Sequence, residues 1–264
     1  MTTKRVGLRR RVVSAIFWAF LTLSSAALFP VAVVIWALTV SVDRRLVLLH
    51  RFTCFWASLY TWLNPAWPVR IEGRRRICPG DVYVMVANHQ SFLDILVLFR
   101  LFVHFKWVSK IENFRVPCIG WNMSLNRYIK LRRGDRRSVA EMMAACEQAL
   151  AGGSSVMMFP EGTRSVDGRL KPFKPGAFAL ALRARVPLLP IVVEGTANAL
   201  PKRGFVLRGR HPIRVRVLAP IPYSTFAGDS AEALATRVHD LFAAELGAPP
   251  AGGGWEDAWP AARP

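Results

Sequence analysis

Acidic residues are scarce in this chain of 264 residues. Only 17 Asp and Glu stand against 36 Lys and Arg, which gives a formal net charge of +19. An excess of this size favours an anionic partner or substrate, namely a lipid headgroup, a phosphate or a nucleic acid. Charge alone does not choose among these classes.

Cysteine is also sparse, with four residues that are far apart in the sequence. No C-x-x-C pair occurs among them, so their spacing suggests neither a zinc site nor a disulfide framework. We interpret them as buried or idle thiols and expect a reducing, cytoplasmic environment. They are Cys54, Cys78, Cys118 and Cys146.

Several signatures of common enzyme classes are missing. The sequence contains no G-x-S-x-G elbow, no Walker phosphate loop, no G-x-G-x-x-G and no H-E-x-x-H. These absences count against a lipase, a nucleotide hydrolase, a dehydrogenase and a zinc hydrolase.

Charged residues are absent from Val12 to Val42, a run longer than the roughly 20 residues that one membrane-spanning helix needs. Hydrophobic residues make up 52% of the chain, which includes nine tryptophans. We therefore predict an N-terminal membrane anchor. Pro30 divides the run, and positive charge at both ends gives no orientation, so a kinked span and a half-inserted helical hairpin both fit. A cleaved signal peptide is disfavoured because the apolar run continues past the small residues 24–27.

Residues 46–67 mix apolar and aromatic side chains with His50 and Arg51. An interfacial amphipathic helix and a core helix of the following domain both explain this composition.

Short apolar runs alternate with helical patterns after Pro68, which predicts an α/β fold with a mostly parallel central sheet flanked by helices. We expect an anchoring and interfacial region at 1–67, a catalytic domain at 68–246 and a disordered tail at 247–264. The predicted strands are Val82–Ala87, Arg127–Leu131, Ser155–Phe159, Leu188–Val193 and Ile213–Leu218, and the predicted helices are Phe92–Phe102, Arg137–Ala151, Ala177–Ala184 and Ala231–Leu246.

A polar turn, Asn88–Asp94, follows the first strong strand, at the edge where α/β sheets form their sites. His89 and Asp94 are five residues apart and could not share a face of one helix. They can meet if His89 lies in the turn before the helix and Asp94 in its first turn. A carboxylate in that place would fix the imidazole tautomer for proton transfer, although a capping or buried structural histidine is the alternative.

A second polar turn, Phe159–Ser165, follows another apolar strand, and Lys171 and Lys174 come soon after it. Its glycine lets a ligand approach the backbone, while Thr, Arg and Lys offer donors to phosphate oxygens. An ordinary solvated turn would have the same composition. The equivalent position after a strand favours a cleft shared with the first turn.

Two further stretches complete the pattern. Residues 127–137 alternate basic and apolar side chains and bring several arginines to a strand end, which suits phosphate recognition or a solvated basic strand. Residues 186–193 indicate a buried strand in which Pro190 would shape a turn or bulge.

Together, the four stretches resemble the sequence blocks of the glycerolipid acyltransferases, which include the lysophosphatidic acid acyltransferases of phospholipid synthesis. The resemblance spans about Val82 to Thr196 and rests on NHQSFLD, LRR, FPEGTRS and VPLLP. It departs from the family at Arg127, where the second block usually begins with glycine, and this departure bears on the local backbone and on the choice of Arg133 over Arg132.

The resemblance implies His89 as general base, Asp94 as its orienting carboxylate and Arg133 as the phosphate-binding arginine. It implies that Glu161, Gly162, Thr163 and Arg164 bind or position the glycerol phosphate, with Asn88, Lys174 and Pro190 in supporting places.

The implied reaction moves an acyl group from acyl-CoA or acyl-ACP to the sn-2 hydroxyl of lysophosphatidic acid, without a metal, a bound cofactor or a covalent acyl-enzyme. The expected location is a bacterial-type inner membrane, with the catalytic domain facing the cytoplasm and membrane lipids as partners. Another lysolipid acceptor, such as lyso-ornithine lipid, and a non-catalytic basic membrane protein are the alternatives; a nucleic-acid partner is not expected because no matching motif is present.

Overall fold

A computed structural model describes residues 7–165, 168–202 and 205–247. Its centre is a seven-stranded sheet in the order β1-β7-β6-β2-β5-β3-β4. The strands are β1 Val69–Glu72, β2 Val84–Ala87, β3 Phe105–Lys110, β4 Ile129–Leu131, β5 Ser155–Met158, β6 Leu188–Glu194 and β7 Ile213–Val217. Strands β6, β2, β5, β3 and β4 run parallel to one another. Strand β7 is antiparallel to β6 and parallel to β1.

Eight α-helices accompany the strands in the described residues. They are α1 Leu8–Thr39, α2 Val47–Trp62, α3 Leu93–Phe99, α4 Ile119–Leu125, α5 Arg136–Ala151, α6 Gly176–Ala184, α7 Thr196–Ala199 and α8 Ala231–Gly247. The predicted α/β class and mostly parallel sheet are confirmed. The predicted helices correspond to α3, α5, α6 and α8, whose ends differ from the prediction by at most three residues.

The side chains of β2 show how the sheet divides the core. Met85 and Ala87 pack with the core residues of α1, α2 and α3. Val84 and Val86 pack on the other face, with the core residues of α5, α6 and α8. This alternation follows from the two-residue period of a strand, and it requires apolar residues at every position of a strand covered on both faces.

Helix α1 is continuous through Pro30, and the chain then turns back so that α2 packs against it. The Tyr60 hydroxyl on α2 lies 3.1 Å from Ser25 Oγ on α1. One stripe of α1, including Phe17 and Leu21, packs into the core of the domain. The two helices therefore form a hairpin that lies on the α/β domain.

Helix α2 combines the two interpretations that its sequence allowed. Leu49 and Trp56 are buried in the core, whereas Leu48, Phe55 and Trp62 are exposed. One face of α2 thus belongs to the domain core, while the other is uncovered and, apart from the exposed Arg51, mainly apolar.

Residues 248–264 of the predicted disordered tail lie outside the described residues, and α8 ends at Gly247.

Candidate active site

Three polar turns meet at one edge of the sheet because β5, β2 and β6 are adjacent and parallel. His89 follows the end of β2, Glu161 follows the end of β5, and Thr196 follows the end of β6. The carboxyl ends of parallel strands form the edge where α/β folds bind their ligands. The two turns that the sequence predicted to share a cleft therefore lie side by side at the expected edge.

His89 and Asp94 form a hydrogen-bonded pair. Nδ1 of His89 lies 2.8 Å from Oδ2 of Asp94, and the exposed fractions of the two side chains are 12% and 0%. His89 lies in the turn before α3 and Asp94 in the first turn of that helix, as the five-residue spacing required. Since a carboxylate oxygen accepts, Nδ1 carries the imidazole proton and Nε2 is the basic nitrogen.

The Asp94 carboxylate is held by more than the histidine. Oδ2 also accepts the backbone N–H groups of Gln90 at 2.6 Å and Ser91 at 2.8 Å. Oδ1 accepts the hydroxyl of Thr196. Each oxygen of this buried carboxylate thus has a donor, which satisfies the requirement for burying a charged group.

The imidazole of His89 stacks on Phe159, the residue that follows β5. The two ring centroids are 3.9 Å apart and the ring planes differ by 9°. Trp107 on β3 stacks behind Phe159 at a centroid distance of 5.3 Å. This aromatic stack and the Asp94 hydrogen bond together restrain the plane of the imidazole.

Glu161 connects the two predicted turns through backbone groups. Its carboxylate accepts the N–H of His89 at 2.6 Å and the N–H of Lys171 at 3.2 Å. Burial is the main cause that raises the pKa of Glu161 to about 7, and the charge of Asp94 acts in the same direction, while the two backbone hydrogen bonds act against it. The side chain is therefore placed to position the His89 turn.

Cations collect beside this pair of turns. Nζ of Lys171 and Nζ of Lys202 both donate to the carbonyl of Arg164, at 3.2 and 2.7 Å. Lys202 Nζ also lies 3.4 Å from the hydroxyl of Thr163. Gly162 has a φ of +69°, and the side chain of Lys174 lies over the place where its Cβ would be. The turn thus combines a glycine in the left-handed region with several donors suited to an anion.

Arg133 lies farther from the histidine than the residues of the other turns. It follows β4, which is the third strand from β2, so the two backbones are roughly 14 Å apart at about 4.8 Å per strand. The side chain is exposed. A ligand that reaches from His89 to Arg133 would have to cross the ends of β5 and β3.

Arg127 has a φ of +53°, a conformation that glycine adopts at no steric cost. The departure from the usual glycine therefore leaves the local left-handed backbone in place.

Comparison with known proteins agrees with the resemblance of the motifs. The sequence model of a family described as Acyltransferase matches residues 68–194. A 1-acyl-sn-glycerol-3-phosphate acyltransferase from Chlamydomonas reinhardtii is 40% identical over 193 residues, which cover 72% of this chain and 58% of that protein. The enzyme of the same name from Saccharomyces cerevisiae is 36% identical over 177 residues, covering 65% and 57% of the two chains. Residues 68–194 of this chain therefore match the Acyltransferase family.

A solved structure shares the fold. The 1-acyl-sn-glycerophosphate acyltransferase PlsC from Thermotoga maritima superposes with a TM-score of 0.70 at 20% identity, covering 90% of this chain and 98% of that one. The chain spans about half the length of the curated relatives that it matches, 58% and 52% for those from Chlamydomonas reinhardtii and Brassica napus.

Two residues predicted to support the site belong to the sheet or border it, since Asn88 directly follows β2 and Pro190 lies within β6. Asn88 donates through Nδ2 to the carbonyl of Val193 and accepts the Val193 N–H at Oδ1, both at 2.8 Å, so it fastens the end of β2 to β6. Pro190 is paired with Val86 inside β6 and lies in no turn. Its carbonyl accepts the N–H of Leu218, just beyond β7. Because proline has no N–H, the β6–β7 hydrogen-bond ladder lacks a donor at this position, which is at the end of the ladder.

Three residues at this edge of the sheet were not predicted from the sequence. Thr196 and Lys202 contact predicted site residues, and Lys110 ends β3 at the same edge. The rule that found the first two turns would have found Thr196 as well, because Gly195 and Thr196 are a polar turn after the buried strand β6.

In the described part of the chain, no group of three or more His, Cys, Asp or Glu is placed to hold a metal ion. All four cysteines lie within the described residues and are unpaired.

Proposed function

We propose that this protein transfers an acyl group from a thioester donor to the sn-2 hydroxyl of lysophosphatidic acid, giving phosphatidic acid for phospholipid synthesis. The observation that carries the proposal is the His89–Asp94 pair, in which Nδ1 is hydrogen-bonded to a buried carboxylate. The names of the relatives from Chlamydomonas reinhardtii and Saccharomyces cerevisiae support the same reaction.

In the proposed mechanism, Nε2 of His89 takes the proton from the acceptor hydroxyl as its oxygen attacks the thioester carbonyl. A new C–O ester bond forms, the C–S bond breaks, and the proton passes from the imidazolium to the departing thiolate. Asp94 stabilises the imidazolium and keeps the ring in the required tautomer. This sequence of steps uses no metal ion and no covalent acyl-enzyme.

The donors around the second turn suit the glycerol phosphate of the acceptor. We assign Gly162, Thr163 and Arg164 to binding this group, with Arg133 contributing from the end of β4. Glu161 positions the backbone, since its two oxygens are bound to N–H groups. Clustered cations are the expected partners of a phosphomonoester.

The acyl donor in this proposal is acyl-CoA or acyl carrier protein. Both present the acyl group as a thioester of phosphopantetheine, so the same base and the same attack serve either one.

The α1–α2 hairpin is the proposed membrane attachment. Helix α1 is long and apolar enough to cross a bilayer. It also contacts the domain along its length, from Trp18, whose Nε1 donates to the carbonyl of Phe205, to Phe29, whose ring packs on Trp121. A helix covered on one side by a water-facing domain favours the half-inserted hairpin over a full span. The proposed location is a bacterial-type inner membrane, with the domain on the cytoplasmic side.

We retain the proposed division of the chain, with residues 1–67 as the membrane-facing region and 68–246 as the catalytic domain. The two share a hydrophobic core, because Phe17 of α1 and Trp56 of α2 cluster with Leu189 of β6. The membrane-facing region should therefore fold together with the catalytic domain.

An acceptor panel tests this proposal. Detergent-solubilised protein is given acyl-CoA or acyl carrier protein thioester with lysophosphatidic acid, other lysophospholipids or lyso-ornithine lipid, while thiol release and lipid products are followed. Phosphatidic acid formed from lysophosphatidic acid at a higher kcat/KM than any other product supports it. A higher kcat/KM for another acceptor refutes the assigned acceptor, and no product with any acceptor refutes the catalytic proposal.

A further inference from the structure

The third polar turn of the site contains a buried hydroxyl aimed at the catalytic carboxylate. Thr196 has no exposed surface, and its Oγ1 donates to Oδ1 of Asp94. The other oxygen of Asp94, Oδ2, accepts a hydrogen bond from the Nδ1–H of His89. The threonine and the histidine therefore hold opposite oxygens of one carboxylate.

The Thr196 hydrogen bond restricts rotation of the Asp94 carboxylate about its last side-chain bond. This torsion is soft and broad in aspartate. A donor on Oδ1 opposes that rotation, because turning the group would break the Thr196 hydrogen bond and also move Oδ2 away from His89. The backbone N–H groups of Gln90 and Ser91 bind only Oδ2. Thr196 is thus the partner that fixes the second oxygen.

The backbone before Thr196 is shaped to deliver this hydroxyl. Gly195 has a φ of +84°, and a Cβ there would lie 2.1 Å from the carbonyl oxygen of Pro212. Only glycine fits this position without a shift of the backbone. The carbonyl of Leu200, just after α7, accepts the hydroxyl of Ser91, which ties the short helix to the His89 turn.

We infer that Thr196 is a positioning residue for acyl transfer: its hydroxyl holds the Asp94 carboxylate in the orientation that keeps the His89 imidazole ready to accept the acceptor's proton. The role in turnover rests on the function proposed above, whereas the orientation of the carboxylate is a property of the protein without substrate.

Two substitutions separate a hydrogen-bonding role from a packing role. Thr196→Val keeps the shape and loses the hydroxyl, while Thr196→Ser keeps the hydroxyl and loses a methyl group. We expect Thr196→Val to lower kcat by about 10- to 100-fold, the effect of losing a hydrogen bond to a charged group, with KM for lysophosphatidic acid unchanged. Thr196→Ser should retain kcat within about threefold of the unmutated protein. The reverse order, an active valine variant and an impaired serine variant, would overturn the inference.

A measurement without substrate makes the inference independent of the assigned reaction. The Nδ1–H proton of His89 should give a low-field NMR resonance, identified by its loss in His89→Gln. We expect it to move upfield or disappear in Thr196→Val and to stay in Thr196→Ser. An unchanged resonance in Thr196→Val would refute the positioning role, whether or not the unmutated protein makes phosphatidic acid. Absence of phosphatidic acid with a changed resonance would refute the assigned reaction and leave the positioning role supported.

Discussion

The carboxylate of Glu161 accepts the backbone N–H of His89 at 2.6 Å, so the turn after β5 holds the turn after β2 directly. In return, the N–H of Ser165 donates to the carbonyl of His89 at 2.8 Å. The two turns are therefore one hydrogen-bonded unit. A change in the charge of Glu161 should change the strength of its hydrogen bond to the His89 backbone.

The titration of Glu161 should appear in the pH dependence of stability. Its pKa is raised to about 7 in the folded protein, chiefly by burial, from an ordinary value of 4.5. A raised carboxyl pKa means that the folded state binds the proton more tightly, so this group's contribution to stability is present below pH 4.5 and is lost as the pH rises to about 7. We expect the Tm of the unmutated protein minus that of Glu161→Gln to fall between pH 4.5 and 7 and to be flat above pH 7.

Thermal unfolding of both proteins across that range gives this difference directly, and groups that titrate in both proteins cancel. A Tm difference for Glu161→Gln that does not change with pH would contradict the raised pKa.

Arg133→Ala should weaken the binding of lysophosphatidic acid more than it slows turnover. A charge-assisted bond between arginine and phosphate is expected to change the KM for the acceptor by roughly 10- to 100-fold. Arg132→Ala is the control, because the neighbouring arginine is also exposed but is not the residue matched to the phosphate-binding position. Steady-state kinetics with varied lysophosphatidic acid measure KM and kcat for each variant. A rise in KM in Arg132→Ala instead would move the assignment by one residue.

Membrane attachment should depend on the uncovered face of the hairpin. Leu23 and Leu38 on α1 are 71% and 75% exposed. Replacing both with Asp places charges where lipid is proposed, and we expect the variant to lose most of its flotation with phospholipid vesicles. Val139→Asp, at an exposed apolar position on α5, should float like the unmutated protein. Full flotation of the double variant would show that another surface binds the membrane.

The sequence was most informative where strands are covered on both faces. Strands β2, β5 and β6 consist almost entirely of apolar residues, and the turns that follow them could be placed at one edge because parallel strands share their direction. The His89–Asp94 contact followed from the same reasoning, since a carboxylate in the first turn of α3 can reach back to the preceding loop.

Strand β3 was not among the predicted strands, and its sequence shows why it could not be recognised. It carries Lys106, which is buried because its Nζ donates to the carbonyls of Arg45 and Asn126, both at 2.8 Å. Burial lowers the pKa of Lys106 to about 8. A buried cation with partners 61 and 20 residues away leaves no local pattern. The packing of α1 on the domain is equally non-local, because Ser14 Oγ accepts the N–H of Leu207 across 193 residues.

The measurement that tests the central claim most directly compares His89→Ala with the unmutated protein in the formation of phosphatidic acid from lysophosphatidic acid and an acyl thioester. His239→Ala is the control, because His239 lies on α8 and is not part of the three polar turns that follow β2, β5 and β6. General-base catalysis contributes about 10²- to 10⁴-fold, so His89→Ala should lose at least a hundredfold in turnover while it remains folded and bound to vesicles. The control should keep its activity. Turnover in His89→Ala within tenfold of the unmutated protein would contradict the account.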